Sequence, residues 1–98
     1  MEINSIPEAF QTKLRLAIIS ALITGSKTFK ELKIITSASD GNLGAQLSKL
    51  EELEYLVCKK EFVNRKPQST YSITKKGMNN FREYVEMLEG LLRQCEKD

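Results

Sequence analysis

Histidine is absent from the 98-residue chain, and cysteine (2), proline (2) and glycine (5) are scarce. Without histidine, the side chain that titrates most readily near neutrality is missing. Ser-His and Cys-His nucleophile pairs are thereby excluded, as are the usual histidine-containing metal sites. The two cysteines, Cys58 and Cys95, stand 37 positions apart, so they form neither a CxxC ligand pair nor a disulfide-dense scaffold. They read as small apolar fillers, and a reducing, intracellular setting fits them. So little glycine and proline excludes a fibrous or low-complexity chain. No apolar run approaches the ~18 residues of a membrane span. The longest candidate, 14–23, is interrupted by Arg15 and Ser20. The N-terminus lacks the basic region of a signal peptide, so export is not expected.

What is present fits one soluble globular domain over residues 1–98, with 41% hydrophobic and 29% charged residues. Net charge is only +2, but it is unevenly spread. Residues 59–76 hold six basic side chains (Lys59, Lys60, Arg65, Lys66, Lys75, Lys76) against Glu61 alone. Such a local cationic stretch suits a polyanionic partner better than the overall charge suggests.

Pro7 marks the expected start of a first helix, because its missing N–H needs no partner at the first helical position. Phe10, Leu14, Ala17, Ile18, Ala21 and Leu22 then recur at spacings of three and four, and Gly25 stops the helix. Thr28 and Glu31 form a capping-box pattern opening a second helix to about Thr36, with Phe29, Leu32 and Ile35 inward. Ser39 caps a third helix, with Asp40 in its first turn and Leu43, Leu47 and Leu50 inside. It stops near Tyr55. Leu56–Val63 reads as a strand, 64–68 as a polar turn interrupted by Pro67, and Ser69–Ile73 as a second strand. Thr74 caps a last helix over about 75–96. Its apolar positions Met78, Phe81, Val85, Leu88, Leu92 and Cys95 follow a heptad-like 3-4-3-4-3 spacing, widened by Tyr84 and Leu91.

Two helices joined by a short turn, followed at once by a basic hairpin, form a winged helix-turn-helix. The expected fold is therefore mainly α (α+β): a three-helix core, a two-stranded β-hairpin wing and a long C-terminal dimerisation helix. Residues 7–74 make the DNA-binding core and wing, and 75–96 the dimer helix. At 100° per residue, the face of the third helix opposite its leucines carries Gly41, Ala45 and Ser48, flanked by Asn42, Gly44 and Lys49. Small residues there let the backbone approach base edges; alternatively, the glycines permit tight helix packing. Asn42 is the best base reader, since its amide can pair bidentately with adenine. Ser48 suits a base or a phosphate, Lys49 a phosphate. Gln46 lies near the core edge and ranks lower. Arg65 and Lys66 form the wing tip, with Lys59, Lys60 and Gln68 toward phosphates or a groove edge. These charges alternatively protect an edge strand. Lys75 and Lys76 at a helix start run against the helix dipole, a mismatch that a nearby phosphate or simple solvation would relieve. Glu51, Glu52 and Glu54 read as a solvated helix end.

Several runs resemble a known family. Residues 14–22 look like the first helix of small winged-helix regulators, and Phe29-Lys30-Glu31-Leu32 their second. The stretch from Ser39 to Glu51 resembles their recognition helix, and 60–67 and 70–77 their wing and final-helix start. This is the single-domain winged-helix group related to MarR-type and ArsR-type regulators, covering roughly residues 10–92. The resemblance implies a homodimeric, cytoplasmic, sequence-specific DNA-binding repressor or activator of prokaryotic type. The Cys/His ligand sets of metal-sensing ArsR-type members are missing here. The partners expected are double-stranded DNA and a second copy, with no membrane, cofactor, metal or catalytic residue. A winged-helix module meeting an acidic protein partner is the competing reading, and an enzyme the weakest.

Overall fold

The computed structural model describes residues 1–97. Its order is α1 (Lys13–Ile23), β1 (Lys27–Thr28), α2 (Phe29–Thr36), α3 (Asp40–Glu52), β2 (Leu56–Val63), β3 (Lys66–Ile73) and α4 (Lys75–Lys97), preceded by two 3-10 turns. This is the winged helix-turn-helix with its long C-terminal helix.

Local chemistry accounts for most boundaries. The Thr28 hydroxyl accepts from the Glu31 amide at 3.2 Å, and the Glu31 carboxylate accepts from the Thr28 amide at 2.9 Å. That reciprocal capping box opens α2 and holds the Glu31 carboxyl below its usual pKa of 4.5. Ser39 caps α3 through the Asn42 amide at 3.2 Å. At the other end of α3, the Tyr55 amide donates to the Leu50 carbonyl and the Glu54 amide to Glu51, both at 2.9 Å. This is a Schellman stop, with Glu54 rather than glycine in the left-handed position at φ 65°. The core gathers Ile18, Ile19, Leu22, Leu32, Leu43, Leu47, Leu50 and Leu56, each at most 2% exposed.

Four expectations need correction. Pro7 does not begin α1; it leads into a 3-10 turn over Glu8–Phe10, and Thr12 caps α1 instead through the Arg15 amide. The break lets Phe10 leave the helical path and pack on Tyr55, Phe81 and Tyr84, with ring centroids 5.0–5.9 Å apart. Ile35 is not inward: it is 52% exposed, in the last turn of a helix that ends at Thr36. The sheet has three strands in the order β1-β3-β2, because Lys27 and Thr28 pair with Tyr71 and Thr70. Finally, β3 begins at Lys66, and Pro67 lies inside it opposite Phe62. A two-residue turn, Asn64-Arg65, closes the hairpin, both residues left-handed at φ 53° and 65°. Val63 and Lys66 are then the hydrogen-bonded closing pair, so alternation turns Pro67's missing N–H toward the side away from β2. β1 reaches only Thr70 and Tyr71, so no ladder bond is forfeited.

Tyr71 lies in the core opposite Cys58. Burial, with the Cys58 thiol as hydrogen-bond neighbour, pushes its pKa up from 10.0 to about 12. The fold thus favours the neutral phenol. This contribution to stability is complete below about pH 10 and is lost as pH rises through about 12. Thermal melts across that range should show a steeper alkaline decline for the wild type than for Tyr71→Phe. Parallel declines would refute it.

Candidate nucleic-acid interface

The exposed face of α3 is bare. Gly41, Asn42, Ala45 and Ser48 are exposed, and Gly44 is half-buried. A Cβ built on Gly41 or Gly44 meets nothing within 4 Å. Neither glycine is needed for packing, which removes the bland explanation for them. The first turn of α3 is tied to α2 by a Lys33–Asp40 ion pair at 2.6 Å.

Asn42 does not stand free. Its Oδ1 accepts from Gln46 Nε2 at 3.3 Å, and Gln46 Oε1 accepts from an Arg15 terminal nitrogen at 3.2 Å. Gln46, low in rank on the helical wheel, therefore bridges the first helix to Asn42. Lys49 is half-buried and pairs with Glu8 at 3.4 Å, so it leans toward the N-terminal segment.

Strand alternation separates the wing residues. Lys60 shares a face with Tyr71, Ser69 and Pro67, whereas Lys59, Lys66 and Gln68 share the other. The Lys59 ammonium is 3.8 Å from Glu61. Arg65 and Lys66 are exposed at the tip, with no ion pair among the described residues. Between the wing and the start of α2 lies an open cleft of about 530 Å³, lined by Lys30 and Lys66 together with Phe29, Val63 and Pro67. Lys30 escapes a reading of the sequence as a site residue, because one exposed lysine on a short helix carries no signal there. Lys76 sits 4.0 Å from Glu54 and 5.8 Å from the centroid of the Tyr55 ring. Those internal partners offset its unfavourable place at a helix start, without any phosphate.

The chain from residue 14 to 92 matches the family model described as a winged helix DNA-binding domain. The chain belongs to that family. DNA binding is therefore the activity of its family. Its fold is that of MarR-family transcriptional regulators. One from Enterococcus faecalis V583 superposes with a TM-score of 0.82 at 19% identity, covering 97% of this chain and 86% of that one. A transcriptional regulator homologue from Pyrococcus horikoshii OT3 gives 0.80 at 20% identity, covering 89% and 87%. Bacillus subtilis PadR, solved with operator DNA, gives 0.65 at 15% identity over 70% of this chain and 44% of its own. Comparison with curated proteins finds no match.

The C-terminal helix of this winged-helix domain divides in two. Phe81 and Tyr84 are committed to the aromatic cluster around Phe10, and Asn80 Nδ2 donates to the Tyr55 hydroxyl at 2.8 Å. Met78 and Val85 are not fully exposed either, both being half-buried. Beyond them Leu88, Leu91 and Leu92 are 42%, 47% and 59% exposed, and Cys95 is exposed too. The expected seam from Met78 to Cys95 is thus interrupted: Phe81 packs within its own chain. Met1 and Ile3 lie beside Met87, Gly90 and Leu91, extending the exposed apolar strip. No helix among the described residues is long and apolar enough to cross a membrane.

Proposed function

We propose that this protein is a cytoplasmic, homodimeric, sequence-specific transcriptional regulator. α3 enters the major groove and presents Ser39, Asn42, Gly44, Ala45 and Ser48. The wing tip, Arg65 and Lys66, reaches the minor groove or the adjacent backbone. Lys59, Lys60 and Gln68 line the wing's flanks, and Lys30 adds a phosphate contact across the cleft. Lys49 joins them only on leaving Glu8. The observation that carries this reading is the open, side-chain-poor face of α3 beside a hairpin of one dominant charge sign.

Two copies pair along Leu88, Leu91 and Leu92, with Val85 and Cys95 at the margins. A helix this long that leaves three leucines in water is otherwise hard to account for in a monomer. Selection of duplexes from a random pool, with the solution mass measured alongside, tests the whole reading. The expected result is a two-fold symmetric consensus, half-sites about 34 Å apart, and twice the chain mass. Leu88→Glu with Leu92→Glu should halve the mass and abolish the symmetry. A monomeric wild type that enriches no sequence defeats the proposal.

A further inference from the structure

We propose that Arg15 and Gln46 are positioning residues that set which base Asn42 reads; the proposal rests on α3 lying in the major groove. The argument is one of hydrogen-bond polarity. A guanidinium donates and never accepts, so the Gln46 atom facing Arg15 at 3.2 Å must be the amide oxygen. That leaves the Gln46 NH₂ pointing along the helix, one turn back, toward Asn42. The Asn42 atom facing it at 3.3 Å must then be Oδ1. The outward group of Asn42 is consequently its NH₂, a donor.

The relay has a firm root. Arg15 Nε is shut off from solvent and has no partner among the described residues, so the guanidinium is engaged there through its terminal nitrogen, on Gln46. Arg15 lies in α1, 31 residues before Gln46. Its influence on recognition passes through the amide pair.

A donor in the major groove seeks an acceptor. Guanine offers N7 and O6, thymine O4 and adenine N7, whereas cytosine offers only its N4 amino donor. Adenine remains compatible, since its N7 accepts from that NH₂. The base disfavoured opposite Asn42 is therefore cytosine.

Gln46→Glu reverses the polarity without changing shape. A carboxylate accepts from Arg15 and also accepts from Asn42, which must turn its NH₂ inward and present Oδ1. The outward group becomes an acceptor, which suits the amino groups of cytosine and adenine. Random-pool selection is run on the full chain for the wild type, Gln46→Glu and Arg15→Met. The readout is the guanine-to-cytosine ratio at one position in each half-site. The wild type should favour guanine about ten-fold, Gln46→Glu should reverse the preference, and Arg15→Met should relax it toward parity. The added negative charge of Glu weakens binding to all sequences alike, so it does not enter the ratio. Unchanged ratios in both variants, with a clear consensus, would overturn the relay and leave the groove reading intact. Failure of all three proteins to select any sequence would remove the groove reading, and the relay with it.

Discussion

Exchanging Arg65 for glycine and Lys66 for alanine together is expected to weaken binding to every duplex, preferred or not. Removing one phosphate-neutralising side chain should flatten the slope of log affinity against log salt by about 0.9, so the pair should flatten it by roughly 1.8. Glycine is the informative choice at position 65. Arg65 sits at φ 65° as the second residue of a two-residue turn, where a side chain costs ~1 kcal/mol and Asn-Gly is the favoured pair. The variant should fold at least as stably as the wild type while binding less well. Filter binding at several salt concentrations, paired with thermal melts, separates the two effects. An unaltered salt slope would show that the wing does not touch the backbone.

The second large effect concerns Gly77. A Cβ there would lie 2.6 Å from the Tyr55 carbonyl oxygen and 2.9 Å from Ile73 Cγ1. The nearer atom is backbone, so it cannot swing aside. Relief requires α4 to lift from the end of α3. That motion would stretch the Thr74 hydroxyl from the Glu54 and Tyr55 carbonyls, now 2.7 and 3.1 Å away, and the Thr74 amide from Tyr55 at 2.9 Å. Overpacking together with weakened hydrogen bonds puts the loss at about 3 kcal/mol. In a domain of this size that lowers Tm by roughly 15 °C. Gly77→Ala melting within a few degrees of the wild type would contradict this account. Gly90 is the natural control, being a helical glycine of α4 whose added Cβ meets nothing within 4 Å.

The parts of the fold legible in the sequence are those governed by neighbours a turn or less away. Thr28 with Glu31, Ser39 before Asp40, and the Leu43-Leu47-Leu50 stripe each specify their element locally, and Leu56–Val63 is bounded by its composition. What could not be read depends on distant partners. Lys27 and Thr28 are a strand only because Tyr71 and Thr70 lie beside them. Pro67 reads as a breaker until the register shows that its nitrogen faces no strand. Glu54 carries no sign of the left-handed stop it forms, since glycine is the usual marker there. The same holds for the interface. The bare face of α3 follows from its wheel, but the Arg15–Gln46–Asn42 connection spans two helices, and the wheel makes Gln46 peripheral for lack of that partner.

The Thr74 hydroxyl and the close approach of Gly77 hold the root of α4 against the Glu54 and Tyr55 carbonyls, just past the end of α3. Helix α4 therefore cannot swivel without carrying α3 along. In a pair of such molecules the two rods act as the legs of a caliper, with the leucine contact as the pivot. Over an arm of roughly 22 Å, a change of about 8° at the pivot shifts each tip by about 3 Å, close to the rise of one base pair. The gap between half-sites would then be dictated by the crossing angle of the two C-terminal helices, far from any base.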